Sequence, residues 1–327
     1  MYILDRNPLS LLAASACRER IARADLQVGD VMVLTRSFVR AKRPCTDGFR
    51  WFVRQFDEGG NYQELLDTMV AAGRAGDACW LLEQFGPTDE VREVDEIEAD
   101  AVVFAGTLRV RGGVDVEGKI HVGRTLQVGG GVRVGGDLIV GEDLRAEGNV
   151  RAEGRIDIGA DARVGWGLEA LADLRCGGEL RAGWGLHCGA RLQLGGNAFV
   201  GQDLHSVDEI RCAKGLQLGG DLCAQASVRV DQGIVAGGSV SSALHLEVGW
   251  GIRAGGAICA VGSIRAGESL EAGEGICAGE GYGVFAGLDV QADAWETCAR
   301  VSAAVRPAGL MSGWWAGPSV LLARAAS

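Results

Sequence analysis

Proline is missing from most of this 327-residue chain, because its five prolines are at positions 8, 44, 87, 307 and 318. Glycine is abundant instead: the chain has 52 glycines, about twice the usual share of ~7 %. A glycine-rich segment as long as residues 88–306 without proline is neither collagen nor a disordered linker. We therefore expect this segment to be folded.

Long apolar runs and basic segments are also missing. No run of 18 apolar residues exists, which argues against a transmembrane helix. The net charge of −11, without a basic cluster, argues against nucleic-acid binding. The ten cysteines form no C-x-x-C pair, so we expect reduced thiols in a cytoplasmic protein. Residues 11–17 also resemble a short lipoprotein signal ending at Cys17, but Asp5 precedes them and Asn7-Pro8 is a good helix start.

Known catalytic motifs are absent from the sequence. It contains no HExxH, no G-x-S-x-G and no P-loop, and its G-x-G spacings lack a βαβ setting. We predict no catalytic residue and no cofactor.

A six-residue period fills the centre of the chain. Every sixth residue from Val102 to Leu288 is apolar, at 32 of 32 positions without an insertion. A second, smaller inward residue follows two positions later, and only Ser206 and Ser242 are polar there. The residue between them is outward and is arginine in eleven of the 32 units.

This period predicts a mainly β fold, a three-sided β-helix or β-solenoid. Each unit is a three-residue strand followed by a corner, where glycine permits positive φ, and three units close an 18-residue coil. We predict ten to eleven coils over residues 101–293, which bury their inner faces by stacking.

The repeat also carries a family resemblance. Residues 114–122 (VDVEGKIHV) and 150–158 (VRAEGRIDI) resemble bactofilins, bacterial polymer-forming β-helix proteins. Residues 132–140 (VRVGGDLIV) are similar to the hexapeptide repeats of bacterial acyltransferases. The first resemblance implies a scaffold that polymerises. The second implies an enzyme with a catalytic histidine and a pocket-forming loop, and the unbroken register disfavours it.

Residues 1–100 are predicted to form a mostly α-helical domain. We expect a helix from Asn7-Pro8 to about residue 22, a short strand at 31–35, and an amphipathic helix containing Phe52. Asn61 with Glu64 predicts a helix start, and Asp77 predicts another. We expect these two helices to form an αα-hairpin, and its acidic residues disfavour DNA recognition. We also expect an acidic connector over residues 89–100 that leads into the repeats.

Residues 294–327 are predicted to form a C-terminal capping tail. This segment contains three tryptophans as well as Val320 and Leu321. An open solenoid end exposes unpaired backbone and core residues, so we expect the tail to cover it. The alternative is that the tail contacts a partner.

Stacking of 18-residue coils places distant residues in columns, and two columns are candidate sites. Stacked arginines beside Gly-Trp-Gly corners predict a protein-binding surface, because Arg and Trp dominate binding hot spots; the alternative is that each indole packs over its own corner. The predicted residues are Arg145, Arg163, Arg181, Trp166, Trp184 and, on another edge, Trp250. A column of His187, His205 and Cys223 is a weak candidate for metal, because a straight line suits tetrahedral coordination poorly.

From these features we expect a bacterial, cytoplasmic, non-catalytic protein whose partner is another protein, with self-association possible and no nucleic-acid or membrane partner. One reading is a recognition or neutralising protein of the immunity or antitoxin kind. The other is a bactofilin-like polymer-forming scaffold. Folded ends favour the first reading, and the repeat resemblance favours the second.

Overall fold

The structure is a computed structural model, and it describes residues 33–56, 59–290 and 294–318. The predicted first helix, the lipidation signal at Cys17, and Val320 and Leu321 lie outside the described residues.

A small helical domain precedes the repeats. A two-stranded antiparallel sheet joins Val33–Leu34 to Gly60–Asn61. The described part of this domain contains four helices: α1 (Arg36–Ala41), α2 (Thr46–Gln55), α3 (Tyr62–Ala71) and α4 (Ala75–Phe85). Helix α3 starts as predicted, since the Asn61 side chain accepts hydrogen bonds from the backbone N–H groups of Gln63 and Glu64. The predicted cap at Asp77 is wrong: Asp77 lies inside the first turn of α4 and pairs with Arg74 at 2.6 Å.

The predicted three-sided β-solenoid is confirmed, with three parallel sheets of 11, 12 and 13 strands and therefore about 12 coils. Face 1 contains the strands Val91–Val94, Thr107–Val110, Leu126–Val128, Leu144–Ala146, Ala162–Val164, Leu180–Ala182, Ala198–Val200, Leu216–Leu218, Ile234–Ala236, Ile252–Ala254, Leu270–Ala272, Arg300–Ser302 and Trp314–Gly317. Face 2 contains Ile97–Ala99, Val114–Val116, Val132–Val134, Val150–Ala152, Leu168–Ala170, Leu186–Cys188, Leu204–Ser206, Leu222–Ala224, Val240–Ser242, Ile258–Ala260 and Ile276–Ala278. Face 3 contains Val102–Phe104, Ile120–Val122, Leu138–Val140, Ile156–Ile158, Leu174–Cys176, Leu192–Leu194, Ile210–Cys212, Val228–Val230, Leu246–Val248, Ile264–Ala266, Val284–Phe285 and Leu310–Ser312.

The inner face of every regular coil is buried as the period predicts. In a strand such as Leu144–Ala146 the first and third residues are buried and the middle residue is exposed. The two polar inner residues are also satisfied: the Ser206 hydroxyl donates to the carbonyl of Ala190 at 2.9 Å, and the Ser242 hydroxyl donates to that of Ala226 at 2.8 Å. A buried hydroxyl with a partner avoids the cost of an unsatisfied polar group.

The solenoid begins earlier than predicted. Residues 89–100, which we interpreted as a connector, contain Val91–Val94 and Ile97–Ala99, and these strands pair in register with Thr107–Val110 and Val114–Val116. These strands pair with residues 16 and 17 positions later rather than 18, so the six-residue register does not extend into them. The first coil is also strongly acidic.

The register also ends earlier than predicted. Val284 pairs with Ile264, which is two residues later than the 18-residue period requires. Gly281, at φ +79°, allows the longer corner. Tyr282 and Leu288, which the period placed in the core, are therefore exposed, and Val284 is buried instead.

The tail continues the solenoid irregularly. After the short helix α5 (Trp295–Cys298), the strand Arg300–Ser302 pairs with Leu270–Ala272, and Trp314–Gly317 pairs with Arg300–Ser302. Leu310 and Trp315 pack against the solenoid core. Within its described residues, the tail thus adds to faces 1 and 3.

Corner glycines are needed for a different reason from the one predicted. Positive φ occurs at none of the glycines between Gly106 and Gly279. A Cβ on Gly183 would instead lie 2.1 Å from the carbonyl oxygen of Gly165 in the preceding coil. Close approach of successive coils, not backbone strain, selects glycine there.

We expect Gly183→Ala to lower the free energy of unfolding by about 2 kcal/mol, within the usual cost of overpacking. Its matched control is Gly185→Ala on the other side of Trp184, where a Cβ would meet only the Asp203 carbonyl oxygen at 3.3 Å. The same corner position is Glu147 in the coil before Gly165, so the backbone can rearrange to accept a side chain at this position. The loss of stability in Gly183→Ala is therefore limited. Urea denaturation of both variants measures the difference, and equal midpoints would contradict the close-approach explanation.

The helical domain is docked on the first coil. Val103 and Ala105 of the solenoid are buried in the same cluster as Leu65, Leu66 and Leu81. The Gln63 side chain donates to the carbonyl of Val103 at 3.1 Å and accepts from the N–H of Ala105 at 2.8 Å. It thereby satisfies two buried backbone groups at the first strand of face 3, which would otherwise be an open edge.

Candidate protein-binding surface

The three predicted arginines are neighbours on face 1. Arg145 is paired in register with Arg163, and Arg163 with Arg181, in adjacent parallel strands. All three side chains are exposed. Directly opposed like charges are destabilising, so a partner that presents carboxylates to this stack would relieve the repulsion between its arginines.

The outer arginines have acidic partners and the central one does not. Arg145 pairs with Asp143 at 3.1 Å, and Arg181 pairs with Glu179 and also lies 4.7 Å from the centre of the Phe199 ring. Among the described residues, Arg163 has no carboxylate within 4.0 Å. Arg163 is therefore the arginine of this stack that is most available to a partner.

Trp166 and Trp184 lie at the corner between faces 1 and 2, one coil apart. The backbone N–H of Trp184 donates to the carbonyl of Trp166 at 3.1 Å, which fixes the two corners in register. The exposed fractions of the two residues are 60 % and 58 %, so more than half of each remains accessible. The indoles are thus presented to solvent beside the arginine stack. We name Arg145, Arg163, Arg181, Trp166 and Trp184 the Arg–Trp patch.

Trp250 is not part of this patch. Trp250 lies on the corner between faces 3 and 1, about four coils beyond Trp184 along the solenoid. Its backbone N–H donates to the carbonyl of Gln232. Trp250 is 52 % exposed, so it is an isolated surface indole.

The predicted histidine column forms on face 2. The His187 and His205 rings stack with centroids 5.0 Å apart and an angle of 4°, and Cys223 follows in the next strand. Within the described ranges, no three His, Cys, Asp or Glu side chains converge in a way that could hold a metal ion. The column is a linear stack rather than a chelating cluster.

The sequence analysis did not identify a buried histidine at the junction of the helical domain and the solenoid. His121 lies beside Val103 on face 3, and its Nδ1 has no hydrogen-bond partner among the described residues. Burial lowers the pKa of His121, and the positive charges of Arg155 and Lys119 lower this pKa further, against the opposing effects of Glu83 and Asp157. The regular outward position of His121 in the repeat gives no signal of this burial, which comes from the docked domain.

We expect the docked domain to lose stability as the pH falls below about 6.5. Because the pKa of His121 is lowered in the folded state, the unfolded chain binds more protons in this range, so acid favours unfolding. Thermal unfolding at pH 7.5 and pH 5.5 measures the loss, and His121→Phe should reduce its pH dependence. An identical pH dependence in the variant would assign the effect to other groups.

The buried cysteines are structural rather than reactive. The Cys176 thiol donates to the carbonyl of Ala160 at 3.2 Å, and burial raises the pKa of Cys176 to about 11. Burial also raises the pKa values of Cys188 and Cys212. Because the thiolate is the nucleophile, these inward thiols are poor candidates for chemistry.

One family comparison finds a match in this chain. Residues 32–85 match the family described as the YdhT N-terminal domain. The helical domain is therefore similar to this domain family. This match covers the helices docked on the first coil and does not reach the Arg–Trp patch. No curated protein and no solved structure matches the chain. In the described part of the chain, no helix is long and apolar enough to cross a membrane.

Proposed function

We propose that this chain is a non-catalytic protein that recognises or neutralises another protein, in the manner of immunity or antitoxin proteins. The observation that carries this proposal is the Arg–Trp patch, where two exposed indoles stand one coil apart beside Arg163, which has no ion pair among the described residues. Arg and Trp are the residue types most enriched at binding hot spots.

A solenoid suits this role because its surface is ordered before the partner arrives. The strands carrying the patch are paired on both sides, and their inner residues Leu144, Ala162 and Leu180 are almost completely buried. A preorganised surface avoids much of the entropic cost of association. The expected partner presents carboxylates to Arg163 and apolar groups to Trp166 and Trp184.

The proposal excludes catalysis and places the protein in the cytoplasm. From Leu108 to Ala278 the strands pair at the 18-residue spacing, without the inserted loop that a hexapeptide acyltransferase uses to form its pocket. An open groove of about 680 Å³ lies on face 3 and is lined in part by Arg229, Glu247 and Arg265. The nine cysteines of the described chain are free thiols, which is compatible with a reducing compartment.

The second candidate function is a bactofilin-like scaffold, and one observation favours it. The outermost strands of face 2, Ile97–Ala99 and Ile276–Ala278, each have a strand partner on one side within the described chain. Unpaired edges can template end-to-end assembly. Against assembly, Glu98 lies on the first of these edges, and the tail segment that connects Arg300–Ser302 to Leu310–Ser312 contains Pro307. Edge charges and proline both oppose strand addition.

Two measurements on the full chain separate these functions. Light scattering over a concentration series should give a discrete particle for a recognition protein and filaments that grow with concentration for a scaffold. Affinity purification from the native host should recover a stoichiometric partner protein. Filaments without a partner would replace the proposed function by the second candidate.

A further inference from the structure

Two thiols occupy neighbouring outward positions at the end of face 2. Cys259 and Cys277 are the middle residues of Ile258–Ala260 and Ile276–Ala278, the last two strands of this face, and they pair in register. Unlike the inward Cys176, Cys259 is only half-buried and Cys277 is exposed. The Cα atoms of such neighbours are about 4.8 Å apart, and a disulfide bond needs about 4.4–6.8 Å.

The two thiols also contact each other. The side chains of Cys259 and Cys277 are hydrogen-bonded. Burial raises the pKa of Cys259, and the adjacent Cys277 thiol and Glu274 raise this pKa further, against a backbone hydrogen bond at Cys277 that lowers it. Because the thiolate is the attacking form, Cys259 is the poorer first nucleophile, and an oxidant in solvent reaches the exposed Cys277 first.

We propose that Cys259 and Cys277 are a modification site, at which a low-molecular-weight disulfide reversibly converts the two thiols into an intramolecular disulfide bond that holds the last strand of face 2. Disulfide bonds of cytoplasmic proteins are commonly transient and redox-sensing. The site does not include the Arg–Trp patch, so this proposal does not depend on the proposed function.

The reaction is a pair of thiol–disulfide exchanges. The Cys277 thiolate attacks one sulfur of the oxidant, whose S–S bond breaks and releases one half as a thiol. The Cys259 thiolate then attacks the Cys277 sulfur of this mixed disulfide and releases the second half. Two electrons pass from the cysteines to the oxidant, and the two thiol protons end on the two released thiols. Excess reduced thiol reverses both steps.

The position of this site gives the bond a structural effect. Ile276–Ala278 has a strand partner on one side within the described chain, and the lengthened corner at Gly281 follows it directly. Ile258–Ala260 is paired on both sides. Edge elements open locally more easily than central ones, so a covalent bond to a central strand stabilises this end of the face.

The same column contains a matched control thiol. Cys223 is also an outward, half-buried cysteine of face 2, but Ser241 separates it from Cys259. Two strand spacings place the Cα atoms of Cys223 and Cys259 about 9.6 Å apart, beyond the limit of about 7 Å for a disulfide bond. Cys223 should therefore remain a thiol under the same conditions.

Mass spectrometry of the full chain tests the proposal. The reduced protein is incubated with oxidised glutathione, alkylated and digested with trypsin without reduction. Peptides 254–265 and 266–300, which contain Cys259 and Cys277, should be recovered as one linked species that has lost two hydrogen atoms. Fragmentation separates Cys277 from Cys298, which lies in the second peptide. Reduced glutathione should restore the separate peptides.

Two serine variants assign the bond. Cys277→Ser should give no linked species, whereas Cys223→Ser should give it as the wild type does. Serine already occupies the equivalent outward position 241, so both variants should fold.

Hydrogen exchange then measures the structural effect. In the oxidised wild type, residues 276–283 should exchange about tenfold more slowly than in the reduced protein, and the remote strand Leu216–Leu218 should be unaffected. Persistent thiols at both positions, a glutathione adduct that remains on Cys277 without the link, a link between other cysteines, or unchanged exchange in the linked chain would each overturn the proposal.

Discussion

The double variant Arg163→Glu/Trp184→Ala should bind the native partner protein at least about 100-fold more weakly than the wild type. Each residue has the exposure and chemistry of a hot spot, and hot-spot truncations commonly cost 2 kcal/mol or more. A loss of about 2.7 kcal/mol corresponds to a 100-fold change in affinity. The reversed charge at position 163 would also repel a partner that presents carboxylates. Isothermal titration calorimetry with the purified partner measures the effect.

The control makes the same chemical changes elsewhere on the solenoid. Arg253→Glu/Trp250→Ala alters an outward arginine of face 1 and an exposed indole that the structure separates from the patch. This control should keep wild-type affinity. Both double variants should keep the wild-type circular dichroism spectrum, because every altered side chain points outward. Equal affinity of wild type and Arg163→Glu/Trp184→Ala would remove the Arg–Trp patch as the binding site.

The variant Gln63→Leu should detach the helical domain from the solenoid. It leaves the carbonyl of Val103 and the N–H of Ala105 buried without their partners, and each unsatisfied group costs about 1–3 kcal/mol. We expect a total loss of about 3 kcal/mol, concentrated at the junction. Hydrogen exchange should show faster exchange in α3, α4 and the first coil.

The coils remote from the junction provide the internal control for this prediction. Strands such as Leu216–Leu218 are paired on both sides within the solenoid and should keep wild-type exchange rates in Gln63→Leu. The variant Gln217→Leu, a change of the same type at an exposed position, should leave α3 and α4 unaffected. Unchanged protection of these helices in Gln63→Leu would show that apolar packing of residues such as Leu65 and Leu66 is sufficient for docking.

The solenoid could be predicted from the sequence because its physical cause is local and repeated. An apolar residue such as Leu126 or Leu144 at every sixth position forms a continuous inner face. Three six-residue units close one 18-residue coil, and the coils must stack to bury this face. The ends could not be predicted in the same way. At the start, Val91–Val94 and Ile97–Ala99 pair at spacings of 16 and 17 residues, so the 18-residue period does not reach them. At the other end, a corner lengthened by two residues gives Val284 the position that the period assigned to Tyr282.

The sequence predicts which residues of the candidate site stack in columns, but not the ion pairs and the exposure of their side chains. The in-register stack of Arg145, Arg163 and Arg181 follows from the 18-residue coil, and so does the stacking of His187 on His205. Ion pairing and exposure depend on side-chain conformations, so the sequence could not show that Arg163 differs from its neighbours. The burial of His121 depends on a contact between residues distant in sequence.

The distance between spin labels introduced at Gln127 and Gln217 tests the stacked coil most directly. Both residues occupy exposed outward positions of face 1 and are separated by five coils, so stacking at ~4.8 Å places them about 24 Å apart. Labels attached through an introduced unnatural amino acid leave the native cysteines unchanged. A narrow double electron–electron resonance distribution near 24 Å is the result we predict. In an open sheet of successive hexads, fifteen strands would separate the labels by about 72 Å, and a distance in that range would contradict the stacked architecture on which the binding surface depends.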